Sequence, residues 1–247
     1  MRLVTTDAIV LRSYNLAESD RIVICLTRSS GLVRAVAKGA RRMKSRFGAA
    51  LEPFTLVKLS LHEKENRELM TVSSAEILES HFDLSGNFES AEVLAYMGEM
   101  VAEFAPPHET DERLFRMLSA CVDALAQRSG SERALMRYFE IWLLRLAGLF
   151  PDFRACAGCG LALETAAMTT IDTQMRALCE NCGRVDVSVL TPESIKIIRA
   201  THQLSPLNFV ELHKLTDREY AEIGDLTHRL ITRAIERRPR TLVASIR

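Results

Sequence analysis

The apolar residues of this chain change their period part way along. Through residues 4–80 they fall in short runs separated by turn signals. Ala8–Leu11, Arg21–Leu26, Gly31–Val36, Phe54–Leu61 and Leu69–Leu78 read as five strands, with turns at Ser29-Ser30-Gly31 and Glu65-Asn66. From about residue 87 apolar residues recur every three to four positions instead: Val93/Leu94, Met97, Met100/Val101, Phe104. A block of strands followed by a block of helices predicts an α+β chain. Five strands in some eighty residues suit a small closed barrel, and the oligonucleotide/oligosaccharide-binding (OB) barrel has that count. Strand count alone does not separate it from an SH3-like barrel.

Pro106-Pro107 ends the first helix, and Leu114, Leu118, Cys121/Val122 and Leu125 mark a second. Leu135–Leu149 is apolar nearly all round with Trp142 at its centre, which predicts a buried helix closed by Gly148 and Pro151. Two more helices are expected after residue 190. Thr191-Pro192 caps one. The capping box Thr216–Glu219 opens the other, with Leu215 able to staple against Tyr220. Its stripe is Ile223, Leu226, Leu230/Ile231 and Ala234/Ile235, and a basic tail follows at Arg237-Arg238-Pro239-Arg240.

Four of the six cysteines form two pairs, Cys156-x2-Cys159 and Cys179-x2-Cys182, with 19 residues between them. Two thiolates three residues apart on a tight knuckle can occupy two corners of a tetrahedron, and a second knuckle supplies the others. Gly158, Gly160 and Gly183 suit the turns such knuckles need. The pattern predicts one Zn2+ held by Cys156, Cys159, Cys179 and Cys182. Four thiolates leave no position open for water, so that zinc is structural. The expected organisation is a barrel domain over 1–80, a helical domain over 81–150 plus 186–247, and a hairpin-like zinc module over 151–185 inserted in it. Cys25 and Cys121 sit in apolar runs and read as buried thiols.

Charge is uneven. Lys+Arg and Asp+Glu balance at 32 each, yet residues 1–60 carry an excess of seven positive charges and residues 61–150 an excess of eight negative. Arg34, Lys38, Arg41, Arg42, Lys44 and Arg46 lie within 13 residues, and residues 28–51 contain no Asp or Glu. Clustered cations without local carboxylates are the footprint of a phosphate-backbone binder. Tyr14, Phe47 and Phe54 are the aromatics of residues 1–60. Phe47, beside the cations, is the candidate for stacking on bases, with the barrel core as its other placement.

Other classes fit less well. The six histidines are scattered without ligand spacing, no phosphate loop occurs, and no paired carboxylates stand out, so no catalytic role is expected. No apolar run reaches membrane-spanning length. Asp7 and Arg12 break the stretch that a secretory signal needs. An intracellular protein without membrane association is expected.

Ala8 through Val23, the segment Lys38–Gly48, the following Leu51–Phe54, and the cysteine pairs after Leu149–Phe153 together resemble the bacterial RecO family, in the family's order and over nearly the whole chain. Met43 stands where a small or proline-like residue is expected, and it should not disturb phosphate binding. The resemblance implies an OB barrel, a helical domain and a zinc module. It also implies a cytoplasmic, nucleoid-associated mediator of DNA repair and recombination. Such a protein binds single- and double-stranded DNA and anneals complementary strands. With RecR it helps load a RecA-type recombinase onto strands coated by single-stranded-DNA-binding protein (SSB). DNA phosphates would then meet Arg34, Lys38, Arg41, Arg42, Lys44 and Arg46. The acidic C-terminal tail of SSB would be a second partner, with Arg113, Arg116, Arg133 and Arg137 as candidate rim cations. The competing reading is a zinc-ribbon interaction or transcription-associated factor without annealing activity.

Overall fold

A computed structural model describes residues 2–63, 69–106, 109–183 and 188–241. The turn expected at Glu65-Asn66, the helix-ending Pro107 and the 185/186 boundary lie outside them. The chain resolves into two compact units, Met1–Val122 and Asp123–Arg247.

Unit 1 is built on a closed barrel. Its strands are β1 (Arg2–Leu16), β2 (Asp20–Thr27), β3 (Gly31–Ala37), β4 (Leu56–Glu63) and β5 (Leu69–Glu79), in the order β1-β2-β3-β5-β4. Closure depends on β1, which extends well beyond its apolar run. Arg2–Ile9 pairs with β4 and Ala8–Leu16 with β2, and the register shifts between Val10 and Arg12. A bulge of this kind bends a strand so that it can serve two neighbours. The circle is completed by a parallel pairing, Arg34–Val36 against Leu69–Thr71. This is the five-stranded OB-type arrangement.

Alternation places one face of each strand inside: Ala8 and Val10, Val23 and Cys25, Val33 and Ala35, Val57, Leu59 and Leu61, Met70 and Val72. The segment 38–55 between β3 and β4 runs through successive turns and returns Phe47, Ala50 and Leu51 to this core. Burial pushes the Cys25 thiol up to about 12, so it behaves as a small hydrophobe.

Helices α1 (Phe88–Phe104) and α2 (Glu112–Gln127) follow, the unit boundary falling within α2. Asn87 caps α1 by accepting from the Ser90 N–H. Val93, Leu94, Met97, Met100 and Val101 are buried, as their spacing predicts. At Gly98 the helix comes so near β1 that a Cβ would lie 3.2 Å from the Leu11 carbonyl oxygen and from the Phe54 ring.

Unit 2 contains α3 (Glu132–Leu146), a three-stranded sheet β7-β6-β8 and helices α4–α6. The sheet comprises β6 (Thr169–Ile171), β7 (Ala177–Cys179) and β8 (Ser188–Leu190). The hairpin expected around the cysteines is therefore a sheet with a third strand. Helix α4 (Pro192–Gln203) is capped by Thr191 and α6 (Asp217–Ile235) by the full Thr216/Glu219 box. Between them lies α5 (Pro206–Leu212), which the periodicity did not reveal. It has only seven residues, too few to repeat a stripe, and its signal is the Ser205-Pro206 cap.

The interior of α3 adds a buried ion pair to the helix expected to be apolar nearly all round. Arg137 and Glu140 are 1% and 0% exposed and pair with each other. Trp142 donates its indole N–H to the Thr201 carbonyl at 2.7 Å and stacks on His202.

Candidate nucleic-acid interface and four-thiol centre

The cationic segment leaves β3 at Ala37 and turns at Gly39, whose φ of +70° suits glycine. Arg34, Lys38, Arg41, Arg42, Lys44 and Arg46 are all exposed. Among the described residues none of the six forms an ion pair. Met43 between them is fully exposed. Phe47 corrects the stacking expectation: it is 3% exposed and lies in the barrel core, with the Arg46 guanidinium 4.9 Å from its ring centre. A ring in that place anchors the loop and offers no face to a base. Phe54 is buried as well, at a φ of +60°. Of the three aromatics, only Tyr14 is exposed.

The loop is tied down at its other end too. The Asp20 carboxylate accepts the Gly39 N–H at 2.8 Å and the Ser19 hydroxyl at 2.9 Å. The Arg41 N–H reaches the Ser19 carbonyl at 2.9 Å, and its guanidinium donates to the Ala17 carbonyl at 3.0 Å. The Gly39 N–H first, then Ser19 and the nearby Lys38 and Arg42, hold the Asp20 carboxyl below its usual range. Five of the six cations, Lys38, Arg41, Arg42, Lys44 and Arg46, thus project from a segment fixed at both ends, and Arg34 stands on β3 just before it. Sequence reasoning missed Asp20, because it searched for carboxylates within the loop and this one precedes it on β2.

The four cysteines of unit 2 converge, with their sulfur atoms all within 4.8 Å of one another. Cys159 and Cys179 Sγ are 3.7 Å apart. Four thiolates at about 2.3 Å from one zinc stand about 3.8 Å apart, so the spacing fits a tetrahedral ion. Each pair forms a knuckle. Gly160 N–H bonds the Cys156 carbonyl at 2.9 Å, and Gly183 N–H bonds that of Cys179 at 2.8 Å. Side chains are excluded here: a Cβ on Gly158 would sit 3.1 Å from Cys182 Sγ, and one on Gly183 would strike the Thr170 hydroxyl.

The thiols resist ionising together. Burial raises Cys156, but N–H groups of Cys179, Cys159 and Gly158 outweigh it and bring that thiol down to about 6. Contacts with the Cys159 and Cys179 thiols push Cys182 up to about 12. A cluster in which one thiolate opposes the next is what a divalent cation would relieve.

The four arginines considered for a peptide rim are placed unequally. Arg113 and Arg116 are exposed on α2 in unit 1. Arg133 in unit 2 is half exposed, pairs with Asp217 at 2.7 Å and covers the Tyr220 ring. Arg137 corrects the expectation, because it is buried against Glu140 and cannot rim a surface groove.

An OB-type barrel with a projecting cationic loop, continued by helices and a four-thiol knuckle, defines a modular α+β protein. The family model described as "Recombination protein O N terminal" matches residues 1–81, and "Recombination protein O C terminal" matches residues 87–242. The chain is 33% identical over 191 residues to the DNA repair protein RecO of Koribacter versatilis, covering 76% of each chain. It is 36% identical to that of Anaeromyxobacter sp. (strain K), over 74% of this chain and 72% of the relative. Against that of Geobacter metallireducens it is 35% identical over 80% of each. This chain belongs to the RecO family of DNA repair proteins. No helix among the described residues is long and apolar enough to cross a membrane.

Proposed function

We propose that this protein is a recombination mediator without catalytic activity. It binds single- and double-stranded DNA through the cationic loop, anneals complementary strands and, with RecR, helps load a RecA-type recombinase onto SSB-coated single strands. The observation that carries the DNA reading is six exposed cations, free of ion pairs among the described residues, five on a segment fixed to the barrel at both ends and Arg34 on the adjoining β3. Phosphate contacts from Arg34, Lys38, Arg41, Arg42, Lys44 and Arg46 would position the strand without reading its sequence. With Phe47 withdrawn into the core, charge outweighs stacking, which suits a protein that must release bases for pairing.

In this reading residues 1–80 are the DNA-binding domain, 81–150 with 186–247 the helical domain, and 151–185 the module of one structural Zn2+ held by Cys156, Cys159, Cys179 and Cys182. Its place is the cytoplasm, at the nucleoid. The acidic SSB tail is the second partner, and the exposed Arg113 and Arg116 are its proposed cationic contacts.

The test is fluorescence anisotropy with labelled single strands of unrelated sequence across a salt series. Tight binding that falls steeply with salt and varies little with sequence is the expected result. Absence of binding at low salt would overturn the DNA reading for the isolated chain and favour the protein-interaction alternative.

A further inference from the structure

An acid at the root of a phosphate-binding loop is electrostatically out of place. Asp20 is such an acid: Lys38 and Arg42 lie close enough to lower its pKa. By charge alone it should repel a DNA backbone and weaken binding. Its hydrogen bonds indicate a different use. One carboxylate oxygen accepts both the Gly39 N–H and the Ser19 hydroxyl, at 2.8 and 2.9 Å. Gly39 is where the chain turns out of β3 with φ +70°, and four of the six cations follow within seven residues. The turn Ala17–Ser19 receives two further bonds, both from Arg41. Ala17 holds a φ of +52°, so this receiving turn is itself in a conformation that non-glycine residues seldom adopt.

We propose that Asp20 is a positioning residue for the DNA site: its carboxylate pins the Gly39 amide, fixing the hinge from which Arg41, Arg42, Lys44 and Arg46 project. This rests on the DNA reading above and assigns it a residue of the wrong charge. A loop held in place loses less conformational freedom when it meets a phosphate backbone, so each contact contributes more to affinity.

Two substitutions separate positioning from charge. Asp20→Ala removes both the charge and the acceptor. Asp20→Asn removes the charge and keeps an oxygen that can accept from Gly39. Both are measured by anisotropy over the salt series, with amide hydrogen exchange across residues 38–46 of the unbound full chain. Positioning predicts that Asp20→Ala weakens binding roughly tenfold, the scale of one lost charge-assisted bond, although it makes the site more positive. It predicts that Asp20→Asn stays within about threefold of the parent protein, a neutral acceptor bond being weaker but present. Exchange at Gly39 and Arg41 should rise strongly in Asp20→Ala and little in Asp20→Asn. Equal or tighter binding by Asp20→Ala would overturn the proposal and make Asp20 a plain repulsive charge. Unchanged exchange at Gly39 would overturn the pinning itself, whatever the DNA result. A parent protein that shows pinning by exchange but binds no DNA would overturn the DNA reading and, with it, the DNA role of Asp20.

Discussion

The guanidinium of Arg137 and the carboxylate of Glu140 meet one turn apart on α3, and neither reaches solvent. Each has further partners. Arg137 Nε donates to the Tyr220 carbonyl at 3.2 Å, and its guanidinium lies 4.0 Å over the Tyr220 ring. Glu140 accepts from the Thr227 hydroxyl at 2.7 Å and lies 3.1 Å from His228 Nε2. Burial alone would push the Glu140 carboxyl up. Arg137 and His228, with bonds from His228 and Thr227, reverse this and hold it far below its usual range. The pair joins α3 to α6 and leaves no charge unanswered.

Glu140→Gln removes the counter-charge and leaves Arg137 buried. The expected loss is about 3–5 kcal/mol of unfolding free energy, read from urea denaturation. Replacing both residues together with apolar ones of similar volume, Arg137→Met with Glu140→Leu, should recover most of it. Equal loss in the single and double variants would show that the pair supplies stability directly.

Gly224 on α6 faces the same guanidinium. A Cβ there would lie 2.5 Å from an Arg137 terminal nitrogen. Arg137 cannot swing away without leaving Glu140, so Gly224→Ala should destabilise by about 1–3 kcal/mol. On helix propensity alone the change would stabilise by up to about 1 kcal/mol. The sign measured by thermal unfolding therefore decides whether the close approach dominates.

Arg41→Ala with Arg42→Ala should weaken oligonucleotide binding to a similar extent for unrelated sequences. The slope of log affinity against log salt should fall by about one for each lost phosphate contact, measured by anisotropy. Arg113→Ala should leave that slope unchanged.

Cys156→Ser or Cys179→Ser should abolish bound zinc, measured by atomic emission, and lower the melting temperature of unit 2. The sheet β7-β6-β8 has three residues per strand and little core of its own, so ion binding contributes to its folding. Zinc loss with an unchanged melting temperature would contradict a structural metal.

Glu222 accepts from the Thr191 N–H, the Thr191 hydroxyl, the Ser194 hydroxyl and Arg218, tying α6 to the start of α4. Burial raises its carboxyl, and those bonds together outweigh it and hold it below the usual carboxylate range. A folded pKa below the unfolded one stabilises above the unfolded pKa, and this contribution is lost as pH falls through the folded value. Thermal stability measured down the pH scale should therefore fall in acid. Glu222→Gln should be less stable than the parent protein near neutrality and should converge on it at low pH.

Features written in neighbouring residues were legible before the fold was known. The C-x2-C spacing and its glycines predicted four sulfur atoms in one place. Thr191-Pro192 and the Thr216/Glu219 box marked helix starts because a cap is a contact within four residues. Alternation in Leu56–Leu61 and the spacing from Val93 to Val101 named buried faces. Where the partner came from far away, the signal failed. Phe47 reads as a stacking ring beside cations, and only a closed barrel shows that it belongs inside. Arg137 reads as a surface cation until Thr227, His228 and Tyr220, more than eighty residues later, surround it.

The sequence by itself determined the order of parts: strands, then helices, with a thiol knuckle between helical segments and a cationic stretch lacking acids. Periodicity, capping and ligand spacing are short-range, so they survive in the linear chain. Tertiary structure alone decided which charges face solvent. It closed the barrel through the bulge in β1, drew Phe47 inward, buried Arg137 against Glu140 and set Asp20 beneath the Gly39 turn. Burial and electrostatic pairing depend on distance in space, and chain closure brings together residues whose separation in sequence carries no such information.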